Sequence, residues 1–123
     1  MGVFETKAII WNIEDREKRV DVELLVDRGA TYTVIPSRTL EFIGVSKIRT
    51  VRLKLADNRV VVRPLGEVGI EIEGFKATAT PVIFGEEGVF LLGSVTMEQL
   101  GLAPDPVEKR LKQVEALLMS FIE

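Results

Sequence analysis

Apolar and polar positions alternate with period two over most of the chain, which is the pattern of half-buried β-strands. Residues 4–11 are strand-like, Glu14-Asp15-Arg16-Glu17-Lys18 is a charged turn, and Val20-Asp21-Val22-Glu23-Leu24 alternates again, predicting a hairpin. Residues 31–35 resume β-type composition up to Pro36. A second hairpin is predicted from Val51-Arg52-Leu53-Lys54-Leu55 and Val60-Val61-Val62. Asp57-Asn58 stands at its tip, since both residues tolerate left-handed backbone. Residues 66–72 and 75–84 form a further pair of strands around Glu73-Gly74, and residues 89–92 form a short apolar strand ending at Gly93.

Helical signals are few. Residues 37–43 fit one turn, with Ser37 as N-cap and Leu40 and Ile43 facing inward. Residues 96–100 fit a short helix stopped by Gly101. In the tail, Val107, Leu111, Val114, Leu118 and Phe121 fall near helical spacing, so periodicity favours an amphipathic helix from Pro106. The pattern reads as an all-β protein of one domain, residues 1–123, without repeats or linkers.

Composition narrows the chemistry. With 123 residues, 46% of them hydrophobic, the chain is long enough for one substantial core. It holds neither cysteine nor histidine, which excludes disulfides, cysteine nucleophiles, serine–histidine triads and the usual zinc sites. Any catalysis rests on carboxylates, hydroxyls, Lys, Arg or backbone amides. The net charge is -3 and no basic stripe with interleaved aromatics occurs, so nucleic acid is a poor partner. No apolar run approaches the ~20 residues of a membrane span, and no signal-peptide pattern opens the chain; the expectation is a soluble, cytoplasmic protein without membrane contact. Met1-Gly2-Val3-Phe4-Glu5-Thr6 matches an acylation pattern formally, but reads more simply as the approach to a strand. Glu86-Glu87, between glycines, reads as a solvated loop rather than a metal site, and Lys109, Arg110 and Lys112 as the polar face of the tail.

One stretch stands out: Leu24-Leu25-Val26-Asp27-Arg28-Gly29-Ala30-Thr31. An apolar strand runs directly into a carboxylate, and a Gly-Ala pair then lets the chain bend. Burial disfavours an ionised carboxylate, so an acid at such a strand end has a cost that function explains better than packing. Asp27 is the prime candidate for chemistry. The bland alternative is a turn aspartate that bonds local amides.

Leu25-Val26-Asp27-Arg28-Gly29-Ala30, the middle hairpin, and Leu91-Leu92-Gly93 followed by Gln99-Leu100-Gly101 together resemble the retroviral-type aspartic proteases, most closely their small single-domain prokaryotic members. The similarity spans roughly residues 3–105. It implies a closed, mostly antiparallel acid-protease barrel with one short helix before Gly101. Asp27 would be the catalytic carboxylate, with Gly29, Ala30 and Thr31 lining the cleft. Ala56, Asp57 and Asn58 would form the tip of a flap, and Val89 and Leu91 would touch substrate side chains. The resemblance also implies a strand, not a helix, in the tail. Peptides are the implied substrates, and neither cofactor nor metal is implied. Such proteases use two carboxylates sharing one proton. The single Asp-x-Gly-Ala in this sequence therefore implies a homodimer with a two-fold axis between two copies of Asp27.

Arg28 departs from the pattern. The family has Thr or Ser here, a small hydroxyl that reaches across the two-fold axis to the partner's backbone. Neighbouring residues on a strand point to opposite sides, so residue 28 faces that axis when Asp27 faces the cleft. Two guanidinium groups ~4 Å apart at an effective dielectric near 20 repel by about 4 kcal/mol. Folded towards Asp27 instead, Arg28 would hold the carboxylate ionised. Either arrangement opposes acid-protease chemistry. The expectation is therefore an aspartic endopeptidase with activity weakened or lost. Its rivals are a non-catalytic peptide-binding module on the same fold, which captures extended segments by strand addition, and a structural β-domain that docks through its tail.

Overall fold

The computed structural model describes residues 3–118. β1 (Glu5–Asn12) and β2 (Asp15–Val26) form an antiparallel hairpin, with Ala8 opposite Val22 and Ile10 opposite Val20. The turn between them is shorter than the sequence suggested: Ile13 and Glu14 make it, and the charged residues 15–19 already belong to β2. Asn12 tightens this end. Its side-chain oxygen accepts the Glu14 N–H at 2.7 Å, while its amide nitrogen donates to the carbonyls of Ile43 and Gly44.

The chain continues through β3 (Thr33–Pro36), α1 (Ser37–Phe42), β4 (Arg49–Lys54), β5 (Val60–Ile72), β6 (Phe75–Gly85), β7 (Leu91–Leu92), α2 (Ser94–Leu100), β8 (Leu102–Asp105) and β9 (Arg110–Gln113). One seven-stranded sheet has the order β1-β2-β7-β3-β6-β5-β4. β1 also pairs with β5, from Ile9 opposite Glu71 to Asn12 opposite Val68, so hydrogen-bonded neighbours follow one another round a ring of six strands. β4 joins the other half of β5. Most pairs are antiparallel; β2–β7 and β3–β6 are parallel. Ile10, Leu24, Ile35, Val68, Ile70 and Leu92 are fully buried in a single core, each worth about 1.5–3 kcal/mol relative to exposure. Among the described residues, no helix is long and apolar enough to cross a membrane.

Four further details differ from the sequence-based expectations. First, β5 is one strand where two were expected. Pro64 does not interrupt it because β6 pairs only from Leu65 onward, leaving β5 paired on one side at Pro64. Second, Pro36 and not Ser37 is the N-cap of α1; the Ser37 hydroxyl donates to the Gly85 carbonyl at 3.2 Å. Leu40 and Ile43 do point inward. Third, only Leu91–Leu92 of the predicted 89–92 segment is regular strand, the Val89 N–H being used in a turn to the Glu86 carbonyl.

Fourth, the tail is a hairpin, not a helix. β8 and β9 pair with Asp105 opposite Arg110, and the Asp105 carboxylate accepts the N–H groups of Val107 and Glu108 at 3.0 and 3.1 Å. Lys109 takes a left-handed φ of 55° and donates its N–H to the Asp105 carbonyl. These local bonds give the backbone an alternative to helix. Leu111 is buried while Val107 and Leu118 are exposed, which no single helical stripe would produce. Phe121, and the Met1-Gly2 start of the acylation pattern, lie outside the described residues.

Candidate active site

The end of β2 is held on its β7 side. The Leu25 N–H donates to the Phe90 carbonyl at 2.9 Å and the Asp27 N–H to the Leu92 carbonyl at 3.1 Å. Beyond Asp27 the chain turns: the Asp27 carbonyl accepts the Ala30 N–H, and one carboxylate oxygen accepts the Gly29 N–H at 2.9 Å. The turn continues into a second set of bonds. α2 has no side-chain cap, so its first N–H groups lack partners of its own. They find them in the loop, Ser94 N–H donating to the Ala30 carbonyl at 2.8 Å and Val95 N–H to the Thr31 carbonyl at 3.0 Å. A seven-residue helix and the carboxylate loop thus complete each other's hydrogen bonding.

Beneath the loop lies a polar group that the hydrophobic pattern concealed. Thr33, Thr80 and Thr96 are all completely buried. The Thr96 hydroxyl lies 2.6 Å from that of Thr33 and 2.7 Å from that of Thr80, and Thr33 also accepts the Gly93 N–H at 3.1 Å. One network joins β3, β6 and α2, and through Thr33 it reaches Gly93, the residue after Leu92, whose carbonyl holds the Asp27 N–H. The available signal was three threonines inside segments whose other inward positions are apolar. Gly93 completes the packing: a Cβ there would stand 2.4 Å from the Tyr32 carbonyl carbon, so only glycine lets the two backbones approach.

Asp27 is half-buried; Gly29 and Thr31 are exposed, and Ala30 is half-buried beside them. Leu91 sits opposite Leu25 on one side and Val34 on the other, which brings it next to the loop. Val89 is half-buried two residues before it. Ala56, Asp57 and Asn58 are exposed at the tip of the β4–β5 hairpin, whose hydrogen bonds are internal. Asp57 accepts both the backbone N–H and the guanidinium of Arg59, which holds its carboxyl below the usual carboxylate range. Asn58 has φ 72°, the left-handed conformation expected of it.

Arg28 is exposed and lines a groove of about 540 Å³ together with Ser94, Met97, Glu98, Leu102 and Val114. Among the described residues the ion pairs are Arg38–Glu87, Arg59–Asp57 and Arg63–Glu86, so Arg28 and Asp27 do not pair within the chain. Glu86 and Glu87 each face an arginine at the surface, contacts worth at most ~1 kcal/mol.

A sequence model of the aspartyl protease family matches residues 12–101, which take in the Asp27 loop, the middle hairpin, β7 and α2. No curated protein matches the chain. With most of its length covered by that match, the chain belongs to the retropepsin-like aspartyl protease family.

Proposed function

We propose that the chain is an aspartic endopeptidase that acts as a symmetric homodimer, and that Arg28 lowers its turnover. The carrying observation is the Asp27 carboxylate: it stands at a strand end, half exposed, on a loop braced by β7 and α2. One Asp27 removes a proton from water while the second, protonated, donates to the scissile carbonyl oxygen. The water oxygen bonds to the carbonyl carbon. The tetrahedral adduct then collapses as a proton passes to the leaving nitrogen and the C–N bond breaks. Two like charges sharing one proton make this division of labour possible.

In this reading Gly29, Ala30 and Thr31 line the cleft, and the peptide lies extended beneath the β4–β5 hairpin with Ala56, Asp57 and Asn58 at the closing tip. Val89 and Leu91 receive side chains, which favours apolar residues beside the scissile bond. The ring of strands is read as the closed barrel of the family, and residues 1–123 as its single domain. Arg28 cannot make the hydroxyl contact that locks paired loops, so the two carboxylates are held less firmly than in a Thr or Ser protein.

The test is cleavage of apolar-flanked peptides from acid to neutral pH, with Arg28→Thr alongside the wild type. The expected result is pepstatin-sensitive cleavage by both, faster in the variant by roughly tenfold, or ~1.4 kcal/mol of barrier. Stoichiometric peptide binding without turnover by either protein would favour the binding-module alternative. Equal rates would remove the role given to Arg28.

A further inference from the structure

Arg28 and Glu98 line the same groove, and neither belongs to an ion pair among the described residues. Met97 and Leu102, buried at 3% and 4% exposure, give the groove an apolar floor. At its side Val114 and Leu117 are exposed. We infer that in the homodimer each Arg28 pairs with the partner's Glu98, so that two ion pairs tie the subunits together without locking the Asp27 loops as the hydroxyl contacts of Thr or Ser proteins do. This rests on the homodimer proposed above.

The choice of occupant follows from charge. A groove lined by one sign of charge suits a ligand of the other sign. This groove carries one cation, Arg28, and two carboxylates, Glu98 and Glu115, all unpaired among the described residues, on an apolar base, and opposite charges so placed complement a second copy of themselves. A two-fold operation exchanges the two roles, so a second copy satisfies both charges at once. Of the two carboxylates in the groove, Glu98 is the better fixed. Its helix is anchored by buried Thr96, by the Gln99 side chain donating to the Ala79 carbonyl at 3.1 Å, and by left-handed Gly101 at the C-cap. Glu115 follows β9 in a segment without regular structure.

The pairing also resolves the like-charge problem at the axis. Each guanidinium is drawn sideways onto α2 of the other chain, away from its symmetry mate. Asp27 is left without a cation beside it, and the two carboxylates keep the ability to share a proton.

Dissociation constants of the dimer, measured by sedimentation for wild type, Arg28→Glu, Glu98→Arg and an equimolar mixture of the two variants, test the inference. Each variant alone should dimerise about tenfold more weakly or worse, because like charges then face each other in both contacts. The mixture should associate close to the wild-type value, because the heterodimer restores opposite charges at both. Failure of the mixture to associate would place the pair within one chain and overturn the inference, as would single variants that dimerise like the wild type. Should either reversal variant misfold by circular dichroism, Arg28→Gln serves instead: the wild-type constant should weaken with salt and that of Arg28→Gln should respond much less. Equal salt responses would overturn the pair. A wild type that stays monomeric at every concentration would overturn the homodimer itself, a result distinct from the others.

Discussion

Asp27 owes its position to backbone contacts more than to side chains. Its own N–H is bound to Leu92, and the next turn is bound to the start of α2. Gly93 is the residue on which both contacts depend, since it lies between Leu92 and Ser94 with Tyr32 pressed against it. Gly93→Ala should therefore destabilise the protein by ~1–3 kcal/mol, the usual cost of overpacking, or more because the obstructing atoms are backbone. Urea unfolding checks this; a variant as stable as the wild type would mean that the close approach is easily relaxed. Asp27 and Gly93 were both legible in the sequence, because a carboxylate after an apolar strand and a glycine after two leucines are local signals. The Thr33–Thr96–Thr80 network was not. A lone threonine in a strand is unremarkable, and only the tertiary fold brings residues so distant in sequence to hydrogen-bonding distance.

Among the elements, α2 leans on its surroundings, being short, uncapped by side chains and tied to two strands through Thr96. Thr96→Val keeps the shape and removes the shared hydroxyl, leaving those of Thr33 and Thr80 short of a partner. The expected cost is ~1–3 kcal/mol, with faster amide exchange at Ser94 and Val95. Unchanged exchange would separate the network from the carboxylate loop.

The β4–β5 tip has its own pH response. The Asp57 carboxyl is depressed, first by the Arg59 backbone N–H and then by the Arg59 side chain. A group with a lowered folded pKa stabilises above its unfolded pKa, and the contribution is lost as pH falls through the folded value. The tip should thus stay ordered through mildly acid conditions and loosen only below the usual carboxylate range. An NMR titration of the Arg59 amide follows it, and Asp57→Asn should abolish the transition. A transition at the ordinary carboxylate value would contradict the assigned contacts. The tail hairpin marks a limit of sequence reading at this scale. Apolar spacing near that of a helix came about by coincidence, and Asp105, whose side chain caps the turn, outweighed it.

For the molecule as a whole, strand order and ring closure could not be read from alternation, which says which face of a strand is buried but not which strand lies beside it. The family resemblance supplied no strand order, only the expectation of closure. The β1–β5 pairing is consistent with it. The central functional claim is that hydrolysis needs one Asp27 from each of two chains. Its most direct test is a mixing experiment, in which inactive Asp27→Asn protein is added to a fixed amount of wild type and peptide cleavage is followed after subunit exchange. Mixed dimers hold only one ionisable carboxylate at position 27, so activity should fall by about half at equal amounts and continue falling as the variant is added in excess. Activity that stays constant while the variant is added, with the wild type cleaving normally, would show that each chain works alone and would contradict the shared pair.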